Sequence, residues 1–200
     1  MSNIIQSKQL CSVNDEKRIC FINIPKNASQ TIMKNLKFER RSYSNIYKDY
    51  KKIVVIRDPM TRVISSYTQI LKNKQPTNFY KYFKVRHDIK KSFELFLNHI
   101  NNNFYDPHVI PQYQFLDFKG LTINDIDHVI LFDNLNEELK KIITEYNLDC
   151  SKINQINKGS SQIKKVLKPV IGKYHEKILQ IYSKDFELYN QVKKNIIKNK

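Results

Sequence analysis

Two short apolar runs, each closed by a proline-bearing loop and followed by an amphipathic stretch, constrain this chain more than any other feature. Arg18 to Ile24 reads RICFINI and runs into Pro25, the pattern of a buried strand. PKNAS follows as a loop, and Gln30 to Leu36 reads as a helix for which Ser29 is the expected N-cap. Lys52 to Ile56, KIVVI, is a β-branched run suited to the inside of a parallel sheet. It meets Arg57-Asp58-Pro59, where Asp58 can cap and Pro59 can take the first helical position. Val63, Ile64, Tyr67, Ile70 and Leu71 then recur at helical spacing. Two strand–loop–helix units in succession imply an α/β fold with a central parallel sheet flanked by helices.

The remainder fits the same frame. His128 to Phe132, HVILF, predicts a third buried strand, and Glu137 to Tyr146 the helix after it. Phe93, Leu95, Phe96, Leu97 and Ile100 predict another helix, while Lys72 to Lys91 reads as an exposed basic excursion. Ile156 to Lys168 reads as a basic loop carrying Gly159, Ser160 and Ser161; from Val170 the pattern is helical, with a break near Ser183. Neither a repeat nor an internal boundary is visible. Residues 1–17 are read as an N-terminal extension and 18–200 as one domain.

Composition narrows the chemistry. Lys and Arg number 35 against 19 Asp and Glu, a net charge of +16, so an anionic partner is favoured without being specified. Half of that excess lies between Lys158 and Lys200, where a solvated lysine-rich surface explains it as well as a nucleic-acid patch would. Cys11, Cys20 and Cys150 show neither a disulfide framework nor zinc-ligand spacing, so reduced thiols and no metal are expected. No apolar run of the kind found in signal peptides opens the sequence, and none is long enough to cross a membrane. A cytoplasmic setting is expected.

Ligands of α/β sheets bind beyond the carboxyl ends of the strands. The first such end is Pro25-Lys26-Asn27-Ala28-Ser29-Gln30-Thr31, a loop entering a helix N-terminus and so an anion cradle. Lys26 adds a point charge, and Ser29, Gln30 and Thr31 add donors. The Walker A spacing is absent, which disfavours nucleoside triphosphate hydrolysis. At the second strand end Arg57 can offer a planar fork to a phosphate, with Ser65 two helical turns on. Two anion sites at adjacent strand ends suit a ligand phosphorylated at both ends.

CFINIPKNASQTI and IVVIRDPMTRVISSY resemble, in order, the two cofactor motifs of the carbohydrate-type sulfotransferase family. DPHVIPQYQFL, HVILFDNLNEEL and INKGSSQIKK are weaker echoes of later regions of that family. The resemblance implies a P-loop-like fold of three layers and transfer of a sulfuryl group from 3′-phosphoadenosine 5′-phosphosulfate (PAPS) to an acceptor hydroxyl, on a carbohydrate or small molecule. It implies that Pro25 to Thr31 bind the 5′-phosphosulfate and that Arg57 and Ser65 bind the 3′-phosphate. Lys26 would then neutralise the leaving phosphate oxygen.

Family members usually carry His where this chain has Asn23, and the interval between the motifs holds no His and one Glu, Glu39. His108, in DPHVIPQ, is the candidate for the acceptor side, as base or hydrogen-bond donor, with Glu39 its rival. Arg62 is read as a helix brace, and His87, His99, His128 and His175 are given no role. Two other readings stay open: a fold of this family that binds PAPS without turning it over, and a basic nucleic-acid-binding module.

Overall fold

The computed structural model describes residues 9–72, 88–100, 106–150 and 162–198. Of the excursion expected over Lys72–Lys91, residues 73–87 lie outside the described residues, and of the basic loop expected over Ile156–Lys168, residues 156–161 do. The described remainder is largely helical, since a helix starts at Ile89 and α6 spans Gln162–Leu167.

Strands β1 (Leu10–Asn14), β2 (Ile19–Ile22), β3 (Glu39–Ser42), β4 (Lys51–Ile56) and β5 (His128–Leu131) form a five-stranded sheet in the order β3-β1-β2-β4-β5. The apolar runs read from the sequence are its parallel half: Phe21 stands opposite Ile53, and Val54 opposite Val129. The sheet is mixed, because β1 runs antiparallel to both β2 and β3.

Here the structure corrects the boundary at residue 17. Leu10–Asn14 is not an extension but an inner strand, with Val13 paired to Cys20 on one side and to Glu39 on the other. LCSVN escapes a periodicity search because its central Ser12 is buried as a hydrogen-bonded group. The Ser12 hydroxyl donates to Asn23 Oδ1 at 3.2 Å and accepts from Asn23 Nδ2 at 2.8 Å. That exchange also accounts for the Asn at the position where the resemblance leads one to expect His.

Helices α1 (Ser29–Leu36) and α5 (Leu135–Glu145) cover one face, where Ile19, Phe21, Ile53 and Val55 meet Ile32, Leu36, Leu139 and Ile142. Helices α4 (Tyr113–Asp117) and α7 (His175–Lys198) cover the other, where Ile22, Val54 and Ile56 meet Phe115, Leu188 and Val192. Burial on both faces is why β2 and β4 read as unbroken apolar runs. Helix α2 (Pro59–Lys72) packs Val63, Ile64 and Tyr67 against Phe93 and Phe96 of α3 (Ile89–Ile100) and Ile178 of α7. A kink at Tyr182 (φ −123°, ψ 31°) divides α7, one residue from the break expected at Ser183. The result is a three-layer α/β fold.

Candidate active site

The loop after β2 is built from tight, partly left-handed backbone. Lys26 and Ala28 have φ of 70° and 65°, while Asn27 between them does not have positive φ. Alternation of this kind turns successive N–H groups towards one side, a concave cradle for an anion. The first N–H groups of α1, having no carbonyl behind them, extend it. Ser29 is not the N-cap: Ala28 holds that position, and the Ser29 hydroxyl instead donates to Ile24 O at 2.9 Å, closing the loop on itself. Thr31 is buried and Gln30 exposed.

An alanine with positive φ is strained by about 1–2 kcal/mol relative to glycine. Ala28→Gly is therefore expected to raise the denaturation midpoint at unchanged m, by up to about 1 kcal/mol after the added freedom of the unfolded glycine is subtracted. A lower midpoint would mean that the Ala28 methyl packs better than its backbone strain costs.

Asn27 was expected among the cofactor-binding residues of the loop, but its side-chain amide faces inward. Fully buried, it donates from Nδ2 to Val55 O at 2.7 Å and to Gln112 Oε1 at 2.5 Å, and its Oδ1 has no hydrogen-bond partner among the described residues. Only the Asn27 backbone is left to face the cradle. Pro25 lends its carbonyl to Arg62 Nε at 3.4 Å.

Arg57 leaves the end of β4 beside this loop. Its Nη1 donates to Lys26 O at 2.9 Å, its Nε to Thr61 Oγ1 at 3.3 Å, and its guanidinium lies 4.1 Å from the centre of the Phe132 ring. It forms no ion pair among the described residues, although burial and the neighbouring Arg62 charge push its pKa down to about 10. A desolvated guanidinium held by neutral groups retains donor capacity for an anion.

Helix α2 aligns the remaining groups. Asp58 Oδ1 accepts from the Thr61 N–H at 2.7 Å and Pro59 opens the helix, as the sequence predicts. Thr61, Ser65 and Gln69 follow at four-residue steps and so share a face, about 6 Å apart along the axis. Thr61 touches Arg57, and Gln69 Oε1 accepts from Lys26 Nζ at 3.1 Å. Ser65 stands between them, and its hydroxyl makes no hydrogen bond among the described residues. Lys26, Arg57 and Ser65, read from separate motifs, thus converge on one stripe of α2.

Next to this stripe, Ser66 donates to His108 O at 2.6 Å. His108 Nδ1 lies 2.6 Å from Asp106 Oδ1, an arrangement that favours the proton on Nδ1 and so leaves Nε2 the basic nitrogen. Burial of Asp106 opposes its charge, but the His108 ring and backbone N–H hold its carboxyl below the usual range. Glu39 is not brought here. It is exposed on edge strand β3, bonded to Arg41 at 2.6 Å, and the register sets it level with Cys20 rather than with the strand ends.

Several contributors escaped the sequence reading: Gln69, Asp106, Gln112, Phe132 and Asp185. One signal was available for Asp185. It falls among Tyr182, Leu188 and Val192 on the buried side of α7, where a carboxylate needs a partner. That partner is Arg62, only 2% exposed, at 3.9 Å, so Arg62 is indeed a brace. Among the described residues, no group of His, Cys, Asp and Glu could hold a metal ion.

Adjacent parallel strand ends bearing an N–H cradle and a half-buried arginine with no ion pair among the described residues define a P-loop-like α/β protein. The sulfotransferase family model matches residues 34–191, which include Arg57, Ser65, His108 and Gln112, and the chain belongs to that family. The match begins beyond the Pro25–Thr31 loop. No curated protein and no solved structure matches the chain significantly. No helix among the described residues is long and apolar enough to cross a membrane.

Proposed function

We propose that this chain transfers the sulfuryl group of PAPS to an acceptor hydroxyl, on a carbohydrate or another small hydroxyl compound, in a cytoplasmic setting. The observation that carries the reading is Arg57: half-buried, without an ion pair among the described residues, placed beside an N–H cradle and bonded to Thr61, which shares a face of α2 with Ser65. Such a guanidinium is stabilised by an anion more than by water, and a 3′-phosphate supplies one.

In this reading the Lys26–Thr31 backbone holds the 5′-phosphosulfate, and Arg57 with Ser65 holds the 3′-phosphate. Bound there, the donor supplies an electrophilic sulfur with a phosphate leaving group. Lys26 neutralises the oxygen on which charge develops as the S–O bond breaks. His108 takes the acceptor proton at Nε2, and Asp106 steadies the ring. A basic nucleic-acid module has the charge but no use for two ordered anion loops.

Calorimetry tests the reading. The chain should bind 3′,5′-ADP more tightly than 5′-AMP by roughly ten- to a hundred-fold, corresponding to about 1.5–3 kcal/mol for a charge-assisted contact. Arg57→Ala should remove most of that difference while leaving 5′-AMP binding nearly intact. Equal affinities for the two nucleotides in the unaltered chain would eliminate the 3′-phosphate site.

A further inference from the structure

We infer that Gln112 is a positioning residue that fixes the spacing between the two anion-binding loops, and that Asp185 on the C-terminal helix holds it in place. This inference rests on the two-site nucleotide reading above and adds to it the group that makes the two sites act on one ligand.

Gln112 is 0% exposed, and both ends of its amide are engaged. Oε1 accepts from the Arg57 N–H at 3.0 Å and from Asn27 Nδ2 at 2.5 Å, while Nε2 donates to Arg57 O at 2.9 Å. Arg57 is the first residue beyond β4, where no strand is left to pair with it. The side-chain amide offers it one donor and one acceptor, as a neighbouring backbone would. The same oxygen holds Asn27, so one planar group pins the cradle loop to the arginine loop.

The Arg57 guanidinium also reaches Lys26 O, but that contact competes with any phosphate that takes the fork. The Gln112 contacts are to the Arg57 backbone and persist whichever way the fork turns. They are the part of the link that ligand binding does not exchange.

Gln112 is itself fixed from α7. Asp185, 0% exposed, accepts from the N–H groups of Gln112 at 2.8 Å and Tyr113 at 3.1 Å. One turn earlier the Tyr182 hydroxyl donates to Val109 O at 2.8 Å. From the opposite side Arg62 Nη2 donates to Ile110 O at 2.9 Å. The segment carrying Gln112 is therefore gripped between α2 and α7, which makes a distant helix part of the site's spacing.

Only glutamine meets both demands on the amide. Glutamate lacks the donor for Arg57 O, and leucine lacks both functions while keeping the volume. Two linked sites gain from each other only when their spacing matches the ligand. Gln112→Leu should thus weaken 3′,5′-ADP by about tenfold or more, yet weaken 5′-AMP and 3′-AMP each by no more than about threefold.

The experiment is calorimetry of the three nucleotides with unaltered protein, Gln112→Leu, the near-isosteric Gln112→Glu and Asp185→Asn, each first checked by thermal melting. Gln112→Glu keeps the inference testable if Gln112→Leu does not fold. A selective loss for the diphosphate in the Gln112 variants, with a smaller one in Asp185→Asn, is the expected result. Loss of all three nucleotides by one common factor, or no loss, would overturn the positioning role. If the unaltered chain shows no preference for the diphosphate, the two-site reading itself is wrong and the inference falls with it.

Discussion

Lys26→Ala is expected to lower sulfuryl transfer by about 10²–10³-fold while weakening 3′,5′-ADP binding far less. The asymmetry follows from where the charge acts. The ammonium is held against α2 by Gln69 at 3.1 Å, at the far end of the stripe that carries Ser65 and Thr61. In the proposed reaction it acts on a phosphate oxygen whose negative charge grows as the S–O bond breaks, so its interaction would strengthen between ground and transition state. Single-turnover rates and calorimetry on the same variant separate the two effects. Equal losses in rate and affinity would reduce Lys26 to a binding residue.

His108→Ala should cost about 10²–10⁴-fold in acceptor turnover with 3′,5′-ADP affinity retained. Asp106→Asn should fall between that variant and the unaltered chain, since it leaves the imidazole present but no longer fixes the proton on Nδ1. The Asp106 carboxyl is held low by His108 against the opposing effect of burial. Its contribution to stability is accordingly in place above the ordinary carboxylate range and is lost as pH falls through the depressed native value. Activity measured near neutrality therefore reports the pair intact. Glu39→Gln should stay near the unaltered rate, because Glu39 is exposed on β3 and already bonded to Arg41. Collapse of that variant with His108→Ala unaffected would transfer the role of base to the carboxylate.

The two parallel strands and their loops were legible because burial on both faces of β2 and β4 writes itself into local sequence as continuous apolar runs. Pro25 and Pro59 punctuate those runs at the places where loop and helix begin. Lys26 and Arg57 were singled out because strand ends are where an α/β sheet exposes chemistry, and Ser65 because the family resemblance selects it over Ser66. Ser29 and Asn27 were legible as loop residues but not in their contacts. A serine before a helix has an oxygen suited to capping, yet here a left-handed Ala28 takes that position. Nothing in the local sequence distinguishes an amide turned to a ligand from one turned to Gln112.

By itself, then, the sequence determined the parallel core and the two loops at its strand ends, because each depends on neighbours within a few positions along the chain. Only the tertiary structure decided that Leu10–Asn14 is an inner strand, that Glu39 stays away from the strand ends, and that Gln112 and Asp185 join the site. Those outcomes rest on contacts between residues far apart in sequence. Asp185 meets the Gln112 N–H across 73 positions, and Gln112 meets Asn27 across 85. A buried polar group is neutralised by whatever the fold brings opposite it, and no local pattern records that partner.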